Sequence, residues 1–310
     1  MVADSVMIAM IFTAILSGAA VVVPFAAIYF MARKKETGIL SSFGLGLLAY
    51  FWAQYLLPIP IIFLLTKMGW FMKVYETDNL YVVYILITAL LLSSLASLGR
   101  VWCIWLMNRK VPSLYRAMSS AVGFASFKAV SVLASYLSYY NYMKIFNTQG
   151  RDELMKVLTA SGTVNNESAS SMIDNLTQAG AFDAAMQGIN VVMALLVEIA
   201  LIIIIYEGYI RKRTVIATVI SGAVGFAYSF LGMLINALST DKMGKVIDTN
   251  SGALLYDAYV FACALAAVWI IINAYKRYKR VLAEGPYAHF AYFEKDDKKK
   301  NDKDKIEQVL

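Results

Sequence analysis

The chain reads as an all-α, polytopic membrane bundle of about seven transmembrane helices. Two observations carry that reading. Hydrophobic residues make up 60% of the 310 residues, too many for an ordinary soluble domain. They gather in seven stretches long enough to cross a bilayer, for which about 20 predominantly apolar residues suffice. A third observation fixes the count: the basic clusters follow every second stretch, and so all fall on one side of the membrane.

The stretches lie at about residues 5–32, 39–66, 80–107, 113–140, 184–210, 214–238 and 252–275. No basic residue precedes the first, and its apolar core is longer than that of a signal peptide, so it reads as a retained helix. Arg33, Lys34 and Lys35 follow span 1. Arg109, Lys110 and Arg116 separate spans 3 and 4, and Arg211, Lys212 and Arg213 separate spans 5 and 6. Lys276, Arg277, Lys279 and Arg280 follow span 7. All four clusters share one side of a seven-span chain, and an eighth span would break the pattern. The positive-inside rule makes that side the cytoplasm, with the N-terminus outside and the C-terminus inside, at the cell membrane. The net charge of +7 then anchors the chain to anionic lipid and excludes nucleic acid as a partner.

Residues 1–283 are expected to form one transmembrane domain. Its outer loop, about 141–183, is polar and patterned for one or two short amphipathic helices that cap the bundle. Leu154, Val157, Leu158, Met172, Ile173 and Leu176 are spaced like helix faces. Residues 284–310 form a cytoplasmic tail of alternating charge with no hydrophobic period, which reads as solvated and unstructured. Asn166 and Asn175 open glycosylation sequons, which matter only in a secretory-pathway host.

Enzyme chemistry of the common kinds finds little to use. Cys103 and Cys263 both lie in spans and read as small packing residues. The one histidine, His289, follows the last span among aromatics. No zinc site of ordinary His/Cys composition can be assembled within the spans, and no Walker A lysine or Ser–His pair is present. The expectation is therefore no metal and no cofactor.

Three charges interrupt the apolar stretches: Arg100, Lys128 and Glu198. A charge at mid-bilayer depth costs roughly 2.5–3.5 kcal/mol on insertion scales, so such residues normally face a partner or a wet cavity. Helical spacing aligns Ser93, Ala96, Ser97 and Arg100 on span 3. It aligns Phe124, Lys128, Ser131 and Ser135 on span 4, and Gln187, Val191, Ala194 and Glu198 on span 5. On span 6, Ser221, Gly225, Tyr228, Gly232 and Asn236 form a small and polar stripe suited to close helix packing. Arg100, Lys128, Glu198, Ser97 and Ser131 are expected to converge on one buried polar site. Within it Lys128 and Glu198 are expected to form an ion pair, with Arg100 nearby.

The order of these segments resembles the YhfC family of intramembrane metalloproteases, relatives of the PrsW and CAAX-processing membrane proteases. The resemblance covers most of spans 3 to 6. Where the family resembles Glu-Glu-x-Gly-Arg, the chain has Ala96-Ser97-Leu98-Gly99-Arg100. Where the family resembles Gly-His-Gly-Gly-Ile-Glu-Ala, it has Gly123-Phe124-Ala125-Ser126-Phe127-Lys128-Ala129. The fifth-span pattern Gly-Ile-Glu-Arg, followed by Ala and a later His, meets Gly188-Ile189-Asn190-Val191, Ala194 and Glu198. A further family histidine falls near Gly222. The glycines, alanines and Arg100 match, while Ala96, Ser97, Phe124, Lys128, Asn190, Glu198 and Gly222 replace the expected acids and imidazoles. The resemblance thus implies the scaffold of such a protease without its catalytic residues. The favoured function is an inactive membrane scaffold or binding subunit, whose partners are the lipid bilayer and another membrane protein or a transmembrane peptide. Two alternatives stand beside it: an active intramembrane protease with an altered site, and a transporter or permease component.

Overall fold

The computed structural model describes residues 2–34, 36–107, 113–160, 164–239, 243 and 245–284. Arg109, Lys110, Lys35, His289 and the tail lie outside them. Eleven α-helices are present among these residues, and seven candidate spans: 4–32, 39–67, 78–107, 114–149, 181–210, 214–238 and 249–279. The helices are α1 (Asp4–Ala32), α2 (Ile39–Phe51), α3 (Pro58–Lys67), α4 (Gly69–Glu76), α5 (Tyr81–Met107) and α6 (Leu114–Gln149). They continue with α7 (Arg151–Thr159), α8 (Asn166–Gln178), α9 (Ala181–Ile210), α10 (Thr214–Leu238) and α11 (Thr249–Glu284).

By its internal contacts the chain divides into two compact units. One holds residues 1–23 and 128–193; the other holds 24–127 and the chain from 194 onward. Helices α1, α6 and α9 each contribute to both.

In the larger unit, α5 packs against α2 and α10, and α10 against α11. The second span is not one regular helix. A π-helical turn at Trp52–Leu56 joins α2 to α3, and the Leu57 N–H reaches back to the Trp52 carbonyl at 3.1 Å. Pro58 and Pro60 follow at once. Proline has no N–H to donate and crowds the preceding turn, so the wide turn absorbs the mismatch. Helices α2 and α6 meet backbone to backbone. A Cβ on Gly46 would lie 2.0 Å from the Ser120 carbonyl oxygen, and one on Gly123 would lie 2.0 Å from that of Phe43. The Ser119 hydroxyl adds a hydrogen bond to the Ile39 carbonyl at 2.8 Å. Small residues permit this approach where lipid supplies no hydrophobic drive between helices.

The smaller unit contains the segment expected to be a capping loop. Its first nine residues continue α6 instead, because no helix breaker occurs before Gly150. Gly150 then turns the chain at φ 87°, a conformation costly for residues with a Cβ. Beyond it lie the short helices α7 and α8. Leu154, Leu158, Ala169, Ile173 and Leu176 are buried against Val2, Val6, Met10 and Met143. The Asn165 side chain caps α8 by accepting from the Ser168 N–H at 2.8 Å. Asn147 clasps the start of the chain, accepting from the Val2 N–H at 2.7 Å and donating to the Val2 carbonyl at 3.1 Å.

Candidate functional site

The polar site is built on α5. Ser93, Ser97 and Arg100 recur on one face, and all three are buried. Opposite them α10 presents Ser221, Gly222 and Gly225. The Ser221 hydroxyl is used locally, donating to the Leu201 carbonyl at 3.3 Å. The two glycines leave room for the α5 side chains. A Cβ on Gly222 would stand 3.3 Å from Ser97 Oγ, and one on Gly225 would stand 3.6 Å from Arg100 Nη1.

Glu198 reaches this face from α9. Arg100 Nε donates to Glu198 Oε2 at 3.0 Å, and Arg100 Nη2 donates to Oε1 at 3.0 Å. This is the two-pronged geometry for which a planar guanidinium is suited, and it is among the stronger charged hydrogen bonds. Phe124 of α6 covers the pair, its ring centroid 5.4 Å from Arg100 Cζ. Two donors stay unused: Arg100 Nη1 and Ser97 Oγ are buried without a hydrogen-bond partner among the described residues.

Arg100, Glu198, Ser97, Phe124 and Gly222 therefore come together, with Ala96 buried on the same helix. Lys128 and Ser131, expected in the same interior, are both exposed. The cation on Glu198 is Arg100, in place of the expected Lys128. On α6, Phe124 packs on Tyr50 of α2 and against the Gly99 face of α5, whereas the Lys128 side chain one turn further on is exposed. Asn190 is buried in the smaller unit.

The profile of the YhfC intramembrane metalloproteases matches residues 19–247, about three quarters of the chain. The chain belongs to this family. No curated protein and no solved structure matches it. The metal implied by the family's name does not fit the residues of this YhfC protein. Zinc is held by imidazole, thiolate and carboxylate ligands. The polar site offers one carboxylate, and both of its oxygens already accept from a guanidinium. Serine, glycine, alanine and phenylalanine stand around it, with the Tyr50 and Tyr228 side chains also close enough to feel its charge. No cluster of three or more His, Cys, Asp or Glu side chains occurs among the described residues.

A second ion pair was not legible in the sequence. Arg277 Nη1 of α11 donates to Glu207 Oε2 of α9 at 2.7 Å. Arg277 reads as one member of a basic cluster, and Glu207 sits unremarkably in a helix's last turn. Only their parallel packing reveals the match.

Proposed function

We propose that this YhfC protein is catalytically inactive and serves in the cell membrane as a scaffold or binding subunit, with its N-terminus outside and its C-terminus in the cytoplasm. One observation carries the reading: Arg100 occupies both oxygens of Glu198, the carboxylate nearest to the family's expected site residues. Metal-assisted peptide hydrolysis needs ligands to spare and a carboxylate free to take a proton from bound water. Here the lone carboxylate is committed to charge compensation.

The exposed Lys128 supports the binding role. It lies midway along a span, 14 residues into α6, about 21 Å from the helix start. A lysine cannot snorkel that distance, and leaving it against lipid is costly. A carboxylate or amide on another membrane protein or transmembrane peptide would satisfy it.

Metal analysis of the purified protein tests the inactive reading. The expected result is no tightly bound metal. About one zinc per chain, lost on Glu198→Gln, would overturn it. A pull-down in gentle detergent tests the binding role: one stoichiometric membrane partner, lost on Lys128→Met, supports it, and recovery of the chain alone counts against it.

A further inference from the structure

We propose that the groove between α9 and α11 is a site for a phospholipid with a zwitterionic, primary-amine headgroup such as phosphatidylethanolamine. The groove has a volume of about 410 Å³ and is lined by Ile203, Ile204, Glu207, Trp269, Asn273 and Arg277, among others. It is independent of the Arg100–Glu198 site and of any reading of catalysis.

The order of its residues along the helices carries the argument. Both helices run toward a basic end: α9 into Arg211-Lys212-Arg213, α11 through Lys276 and Lys279. On each, the apolar lining comes first and the polar lining after it. Ile203 and Ile204 precede Glu207, and Trp269 precedes Asn273 and Arg277. Trp269 and Arg277 are eight residues apart, about 12 Å along a helix. The groove is thus apolar toward the membrane interior and polar at the span ends. A phospholipid has the same order, with acyl chains inside and headgroup outside. A soluble anion or metabolite has no use for the deeper half.

The polar half also has the charge of the headgroup. Arg277 and Asn273 offer donors to a phosphate, while Glu207 accepts from an ammonium. Glu207 and Arg277 are both partly exposed, so the pair is reachable from the groove. An acidic residue here would repel a purely anionic lipid. A quaternary choline has no N–H to give Glu207. The ethanolamine ammonium meets both demands. Trp269 lies 69% exposed beside the groove, where its ring can lie along an acyl chain.

The test uses the full chain in mild detergent, titrated with phospholipids of identical acyl chains brominated near the headgroup. The readout is quenching of the fluorescence component that disappears in Trp269→Phe. Phosphatidylethanolamine should quench at concentrations at least about threefold lower than phosphatidylcholine or phosphatidylglycerol, the scale of one partly exposed charged contact. Glu207→Gln should erase the preference over phosphatidylcholine. Arg277→Gln alone strands Glu207, so the double variant Glu207→Gln/Arg277→Gln, which leaves no unpaired charge, serves as the folded control and should quench equally with all three lipids. Equal quenching by the three lipids on the native chain would overturn the proposal, as would a preference that survives in the double variant.

Discussion

Arg100 on α5 and Glu198 on α9 are joined by two parallel hydrogen bonds, each 3.0 Å long, within the apolar part of the membrane domain. Arg100 is only 3% exposed. A guanidinium buried this deeply requires an anion beside it. Glu198 supplies it, with both of its oxygens engaged. One contact therefore explains how the charge is tolerated.

Removing either partner should expose this dependence. Glu198→Gln leaves a buried guanidinium uncompensated, a loss of about 3–5 kcal/mol where pairs are fully buried and less here because Glu198 is partly exposed. Arg100→Met alone should also destabilise. The double variant should recover part of the loss, giving a coupling energy of at least about 1 kcal/mol. Thermal unfolding in detergent measures the cycle. Lys128→Met combined with Glu198→Gln should show no such coupling, since Lys128 is exposed and Glu198 is held by Arg100.

The glycines divide into those that set helix contact and those that do not. Gly46→Ala and Gly123→Ala each drive a methyl against a backbone carbonyl at 2.0 Å, which no rotamer can relieve. Each should cost at least about 1–3 kcal/mol and lower the yield of folded protein. Gly225→Ala meets only ordinary contacts, the nearest at 3.6 Å, and should be neutral or slightly stabilising. Thermal unfolding of the three variants side by side decides the ranking.

The spans were legible because hydropathy and length report them directly. Their ends agree with the sequence reading to within a few residues, except that α6 runs on to Gln149. The more polar sequence after residue 140 looks like a loop, yet nothing in it breaks a helix before Gly150. The site was legible in part. Buried charge in a span is rare enough to mark Arg100 and Glu198. Spacing on one helix cannot say which of its faces a neighbour covers, so it puts Lys128 and Ser131 inside although both are exposed. The choice of Arg100 over Lys128 as the partner of Glu198 depends on helix rotation and packing, which a single sequence does not encode locally.

The cap formed by α7 and α8 should resist proteolysis through its apolar core. Leu154 and Ile173 are both fully buried. Truncation of such residues to alanine typically costs about 2–5 kcal/mol. Leu154→Ala or Ile173→Ala should therefore speed cleavage within 150–178 several-fold, while the membrane spans stay intact by circular dichroism. Val157→Ala, at an exposed position, should leave the cleavage rate unchanged. Rapid cleavage of the native chain throughout this segment would show that the cap does not pack.

A surface clasp on the same cap gives it a predictable response to acid. Arg151 of α7 donates to both oxygens of Asp174 on α8, at 2.7 and 3.2 Å, and also to Ser170 Oγ at 2.8 Å. The hydrogen bonds from Arg151 hold the Asp174 carboxyl below its ordinary value of 3.8, and the same contact raises Arg151 above its own. A depressed carboxylate stabilises the folded cap in full above the unfolded value and loses that contribution as the pH falls through the folded one. The clasp should therefore be constant from pH 8 down to about 5 and weaken only below about 4. Arg151 would release the clasp only in strong alkali. Both groups are solvated, so the effect is small and screened by salt. Acid protease digestion between pH 5 and 3 reads it out: the native cap should open faster as the pH drops, and Asp174→Asn should open at a rate that no longer changes with pH through this cause. An identical pH response in the two proteins would remove Asp174 as its source.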